Sequence, residues 1–257
     1  MRFSPVVKAG CIALGMLGLT ARADAQRKVV VSHDEWMTQT GFLNANEQQF
    51  VSNALGWFGV SSGANVLLYS NNGYLTNGTF VSYLTSLGLN VTTDANAPSF
   101  GGYAAVFSEG NAGLDATALG GYVNGGGNVF YLGGTGVGGS AAEAAYSNPF
   151  LNQFGLGFAN TYNGVAGNIV TSGFDTQGPF GSALFTNVAS VYANNGNSVL
   201  LALAPVAGVT TQLFSDRSGV GVFGAAQVTA TPEPASLALL ATGLIAVVPV
   251  VRRRRRI

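Results

Sequence analysis

NVFYLGGTGVGGSAAEAAY, residues 128–146, is the stretch on which the reading of the fold turns. Asn128 to Leu132 is a short apolar run of β-branched and aromatic residues, the pattern of a buried strand. Seven residues follow, five of them glycine, and then an alanine-rich segment from Ser140 with helix-forming composition. Strand, tight glycine turn and helix in that order make one half of a βαβ unit, and the second strand of such a unit lies parallel to the first.

The same alternation extends outward. NVLLYS (65–70) reads as a buried strand, and TFVSYLTSLG (79–88) sets Phe80, Val81, Leu84 and Leu87 on one helical face, with Gly88 as the stop. LNVTT (89–93) and YAAVFSEG (103–110) read as strands, and LDATALGGYVNGGG (114–127) as a helix opened by Asp115. Upstream, VVVSHDEW (29–36) is expected to supply an edge strand, and NANEQQFVSNALGWFG (44–59) a helix with Phe50, Leu55 and Phe58 inward. Beyond Gly155 the pattern changes to short strands around Asn/Gly turns: NIVTS, SVYAN, SVLLALA, TTQLF and GVGVFGAA, with SDRSG (215–219) as a hairpin turn. The expected fold class is α/β, a mostly parallel sheet flanked by helices, with antiparallel strands added late.

The ends have a different character. Residues 1–25 carry Arg2 and Lys8, then an apolar core too short to span a bilayer, then Ala23-Asp24-Ala25. This is the pattern of a secretory signal, which sets the start of the mature chain at Gln26. At the other end, Ala235 to Val251 is free of charge and is followed by Arg252, Arg253, Arg254, Arg255 and Arg256. As a helix the run would be roughly 26 Å long, slightly short of a hydrocarbon core of about 30 Å. The arginines then act as a stop-transfer clamp that keeps the C-terminus cytoplasmic and the body outside. The expected domains are a signal peptide (1–25), an extracytoplasmic α/β domain (26–230) and a C-terminal segment (231–257).

Charge and cysteine usage narrow the function classes. Outside the signal and the arginine cluster, three of the eleven basic residues remain (Arg27, Lys28, Arg217) against ten of the eleven acidic ones. Three scattered cations cannot neutralise a row of phosphates, so nucleic acid is excluded as a partner. The sole cysteine, Cys11, lies in the signal. The mature chain therefore has no disulfide, thiolate nucleophile or cysteine metal ligand.

Pro232-Glu233-Pro234 stands immediately before the apolar run. With that run and the arginine cluster it resembles the PEP-CTERM sorting signal. The resemblance implies that a membrane-embedded exosortase, a cysteine peptidase, recognises the motif and cleaves near it. The protein would then anchor in the inner membrane only transiently before reaching the cell surface or the exterior. Two prolines hold the motif extended and deny it helical hydrogen bonds, which suits a protease cleft. A permanent plain anchor is the competing reading.

The body, over about residues 64–199, resembles the class I glutamine amidotransferase-like fold. The likeness rests on YVNGGGNVF (122–130) and YLGGTGVGG (131–139). In those enzymes the strand ends in a sharp elbow carrying a catalytic cysteine, with histidine and an acid downstream. Here Thr135 stands about where the cysteine would be, and the only histidine, His33, lies far upstream. The resemblance implies the scaffold without the catalytic set.

The remaining candidates are weaker. Gly134 to Gly139 satisfies G-x-G-x-x-G, but glycine fills 37 of 257 positions, so about 0.7 chance matches are expected in such a chain. A tight turn is the plainer reading of that run. His33, Asp34 and Glu35 are adjacent, and on a strand neighbours point to opposite faces, so a polar strand end is expected rather than a metal site. Glu109 follows a strand and is expected at the carboxyl edge where open α/β sheets bind ligands, with Thr135 on the same edge. Neither Thr135 nor Ser140 has a base in the core to activate it. Loops such as YSNNGYLTNG, FANTYNG and VYANNGN combine tyrosine with asparagine, a composition that suits sugar hydroxyls and also ordinary turns. The function expected is that of an exported, non-enzymatic surface or extracellular-matrix protein without cofactor or metal. A carbohydrate-binding module for extracellular polysaccharide, or a hydrolase on the same scaffold, is the alternative.

Overall fold

The structure, a computed structural model, describes residues 27–97, 99–110 and 112–229. These residues form one compact unit. Its centre is a seven-stranded sheet of order β10-β11-β1-β5-β4-β2-β3. The strands are β1 (Lys28–Ser32), β2 (Asn65–Tyr69), β3 (Asn90–Thr93), β4 (Ala105–Glu109), β5 (Asn128–Leu132), β10 (Val209–Ser215) and β11 (Gly221–Val228). Strands β1 to β5 run parallel, and the β10–β11 hairpin adds antiparallel to β1. Two small ribbons stand apart from this sheet. In one, β6 (Leu156–Tyr162) pairs with β9 (Asn197–Leu201); in the other, β7 (Ala166–Val170) pairs with β8 (Ser190–Asn194).

Period-two alternation sorts the strand residues into two cores. Val30, Leu68, Phe107 and Phe130 face one side with α1 (Ala45–Phe58), α2 (Gly78–Ser86) and the short α5 (Gly181–Phe185). Val29, Val31, Leu67, Val106 and Tyr131 face the other with α3 (Ala116–Asn124) and α4 (Ser140–Leu151). Each buried valine or phenylalanine adds about 1.5–3 kcal/mol of transfer free energy, and the apolar residues of β1, β4 and β5 and nearly all of those of β2 and β11 are buried.

The helices start where cap chemistry directs them. Asn44 and Glu47 form a reciprocal capping box at α1, and Gly59 ends that helix in the left-handed region. Asn77 Oδ1 accepts from Phe80 N at 3.0 Å and Asp115 Oδ1 from Ala118 N at 2.8 Å, capping α2 and α3. Phe80 and Leu84 of α2 are fully buried, while Val81 and Leu87, the residue that caps the helix, pack at the rim of the core.

One expectation is overturned. Residues 29–36 do not form an edge strand: β1 lies inside the sheet, paired with β5 on one side and β11 on the other. All five of its residues are buried, because both faces are covered by helices and ribbons. The edges are instead β3, largely exposed, and β10. The hairpin turn at 215–219 forms as expected, with Asp216 Oδ1 accepting from the N–H of both Ser218 and Val220 at 2.9 Å.

No helix among the described residues is long and apolar enough to cross a membrane. The expected signal (1–25), the motif Pro232-Glu233-Pro234, the membrane helix (235–251) and Arg252 to Arg256 all lie outside the described residues.

Candidate functional site

Parallel strands bring their carboxyl ends to one edge, and the polar residues of the body converge there. The ladder between β1 and β11 runs one residue past Ser32, with His33 N donating to Val222 O at 2.9 Å. The chain then turns: Ser32 Oγ donates to Asp34 O at 2.8 Å, and a 3-10 turn follows at Trp36–Thr38. His33, Asp34 and Glu35 are therefore not a polar strand end. All three are fully buried, because the turn releases them from strand alternation.

His33 Nδ1 lies 2.9 Å from Asn163 Nδ2 and accepts from it, which assigns the ring proton to Nε2. Burial lowers its pKa to about 4, against a smaller raising effect of Asp216, so the ring is neutral. Asp34 Oδ1 accepts from Trp36 N at 2.6 Å. Burial pushes the Asp34 carboxyl up to about 7 in spite of that bond. Close packing explains the glycine at position 196: a Cβ there would stand 1.8 Å from His33 O.

Glu35, in the turn after β1, meets Glu109 at the end of β4. Glu109, the last residue of β4, is buried and accepts from Ser70 Oγ. Glu35 Oε2 accepts from Asn72 Nδ2 at 2.7 Å. Burial first, then the charge and hydrogen bond of Glu109, raise the Glu35 carboxyl far above the carboxylate range. Two carboxyl groups in such contact cannot both ionise, so Glu35 holds a proton at neutral pH.

Thr135 follows β5 in a loop where Gly134, Gly136, Gly138 and Gly139 all have positive φ. Its hydroxyl donates to Gly110 O at 2.9 Å and contacts Glu143 Oε1. Glu143 lies in the first turn of α4, and its carboxyl is fully buried. Burial leaves its pKa raised. A hydroxyl has one proton; if Thr135 gives it to Gly110 O, a protonated Glu143 completes the pair as donor. The G-x-G-x-x-G run is thus a tight, positive-φ turn tied to the chain's own Glu143 through the Thr135 hydroxyl.

Glu109 and Thr135 accordingly share one edge and are linked through Gly110, as their positions after β4 and β5 implied. Ser140, at the start of α4, donates to Asn160 O at 2.9 Å. Among the described residues no group of three or more histidine, cysteine or acidic side chains is placed to hold a metal ion.

Sequence reasoning missed Glu47, Glu143 and the aromatic rings above the acids. Trp36, Phe42, Tyr74 and Tyr192 gather at this edge, with Phe42 and Tyr192 stacked at 4.1 Å and Trp36 5.2 Å from Phe42. A cavity of about 130 Å³ beside Ser70 opens between Asn71, Asn96 and Gly113. A larger groove of about 560 Å³, lined by Phe100, Tyr103, Tyr122 and glycines, lies at the amino edge, away from every acid described above.

The described body is thus a helix-flanked, mostly parallel α/β domain with an internally bonded acidic edge. Beyond it, residues 230–256 match the PEP-CTERM protein-sorting motif. The motif marks an exported protein that passes the membrane, and it makes an exosortase the processing partner. No curated protein and no solved structure matches the chain, so the amidotransferase-like resemblance of the body rests on its sequence motifs alone.

Proposed function

We propose that the chain is a non-enzymatic surface or extracellular-matrix protein, delivered by exosortase processing of its tail. The observation that carries the non-catalytic part is the bonding at Thr135. Its hydroxyl is engaged by Gly110 O and Glu143, and the acid beside it is itself pushed toward the protonated form. A nucleophile needs a base, and the one histidine is neutral, buried and held by Asn163.

The hydrolase reading has one observation in its favour, the cluster of carboxyls with raised pKa at a sheet edge. Against it, each of these groups is fully buried and bonded inward, and neither cavity is lined by Asp34, Glu35, Glu109 or Glu143.

The test is fractionation of cells expressing an exosortase, with the C-terminus read by mass spectrometry. The protein is expected to lose roughly 2–3 kDa at the tail beyond signal removal. Replacing Pro232-Glu233-Pro234 by Gly-Ser-Gly should leave it full-length in the membrane. Removing Arg252 to Arg256 should instead scramble orientation. An intact arginine tail on the extracellular protein would overturn the sorting reading.

A further inference from the structure

The buried acids of the carboxyl edge have a common destination. Asp34 Oδ1 accepts from the backbone N–H of Trp36 at 2.6 Å. Glu35 accepts from Asn72 Nδ2, and Asn72 Oδ1 in turn accepts from Tyr74 N at 3.1 Å. Glu47 Oε1 accepts from Tyr192 N at 2.8 Å, and its Oε2 from Asn44 N at 3.2 Å. Three carboxyls at 0% exposure thus fix the backbone at three aromatic residues, and those three rings converge with Phe42. Trp36 lies 5.9 Å from Tyr74 and 6.4 Å from Tyr192. Burying a carboxyl is costly unless it is bonded, and here the bonds position the rings.

The rings are presented rather than sealed in. Tyr74 is 40% exposed, and Trp36, Phe42 and Tyr192 are half-buried. The segments that carry them also expose Thr40, Asn71 and Asn194. Charge limits what could dock. The sequence has no lysine or arginine between residues 29 and 216, so no cation comes from any ring-bearing segment, and an anionic polymer would find none there. A second protein surface is equally poorly served: one ring at 40% exposure and three half-buried ones fall short of the roughly 800 Å² per partner of a stable interface.

We propose that the Trp36–Phe42–Tyr74–Tyr192 cluster is a docking platform for a neutral polysaccharide. Aromatic faces stack on the C–H faces of pyranose rings, and amides and hydroxyls on the neighbouring loops bond sugar hydroxyls. The platform is fixed before the ligand arrives, which reduces the ordering cost of binding. This inference rests on the reading of the body as an exported, non-catalytic domain.

The test is affinity electrophoresis of the full chain in mild detergent, through gels containing hydroxyethyl cellulose, glucomannan or alginate. Retardation by at least one neutral polymer and none by alginate is expected. Tyr74→Ala should weaken it about fivefold or more, and Trp36→Phe should weaken it as well. Tyr146→Ala, at an exposed tyrosine on α4, serves as the control and should change nothing. Circular dichroism of each variant guards against loss of fold, and Tyr74→Ala, at an exposed side chain, is expected to keep it. Migration unaffected by both neutral polymers, retardation by alginate alone, or equal effects of the Tyr74 and Tyr146 variants would each overturn the proposal. So would a dimer in light scattering that Tyr74→Ala dissociates. Release of reducing ends in the same incubation would overturn the non-catalytic reading while leaving the platform standing.

Discussion

Glu47 Oε1 accepts the backbone N–H of Tyr192 at 2.8 Å, tying the first turn of α1 to the middle of β8 across 145 positions of sequence. The same carboxyl caps its own helix through Asn44 N. Removing it strips a cap and orphans the Tyr192 N–H. Glu47→Ala is expected to cost about 2–4 kcal/mol, combining about 1 for the cap with 1–3 for the unpaired group. Glu47→Gln keeps an acceptor and should lose less than half as much. Urea unfolding of the two variants measures the difference, and equal losses would remove Glu47 as the tie.

Acid–base behaviour should run opposite to that of most domains. Asp34 is raised to about 7, and Glu35 and Glu143 move in the same direction, all chiefly by burial. The folded state then keeps protons that ordinary carboxyls, with pKa near about 4, release on unfolding. Their contribution is full below about pH 4 and is lost as pH rises through about 7 and beyond, by about 1.4 kcal/mol per pH unit for each proton retained. His33, lowered to about 4, has the opposite sign: the unfolded chain takes up its proton below about 6.5. It offsets part of the trend between about pH 4 and 6.5 and nothing above. Urea midpoints should therefore fall between pH 7 and 9, and Glu35→Gln should flatten that fall. A midpoint that rises over this range would contradict the proton-holding pair.

At the elbow, Thr135→Val should destabilise by about 1–3 kcal/mol, because it leaves Gly110 O and Glu143 short of a partner. Thr135→Ser should be close to neutral. Neither change should alter any hydrolytic activity measured for the protein; an activity lost in Thr135→Val and kept in Thr135→Ser would make the hydroxyl a participant.

Gly196→Ala should cost about 3 kcal/mol or more, since its Cβ would meet His33 O at 1.8 Å. Gly56→Ala, on the exposed side of α1 with nothing within 4 Å, should instead stabilise by about 0.5–1 kcal/mol. Thermal melts that rank the two variants the other way round would refute the close approach at His33.

Local pattern carried the parallel unit from β2 to α4, because each strand and helix there announces itself by period, cap or glycine stop. The position of β1 was not local information. Val29 to Val31 has the all-apolar run of a central strand, but what makes it central is β11, almost two hundred residues later. β6 and α5 escaped because LGFANTY loses its alternation midway, its burial running from fully buried to exposed, and GSALF is a single turn. Within the site, Glu109 and Thr135 were legible from their places at strand ends. Asp34 and Glu35 were not, since strand alternation was applied past Ser32, where the chain already turns. Asn44-x-x-Glu47 carried a readable capping-box signature, although its reach to Tyr192 did not.

The placement of the body's three cations bears on how the protein meets proteases. Lys28 sits in a buried central strand beside Asn128 and Gln227, and Arg217 in a hairpin turn laced to Asp216. A trypsin-like enzyme thus finds no cleavable bond between Lys28 and Arg217; the bond after Lys28 lies in a buried strand and the one after Arg217 in an exposed turn. Even the fully unfolded chain yields residues 29–217 as one piece. Peptide mapping of this protein from a culture medium therefore calls for chymotrypsin or an aspartate-directed protease, and a trypsin-like enzyme acting on the folded body is directed to the exposed turn at Arg217.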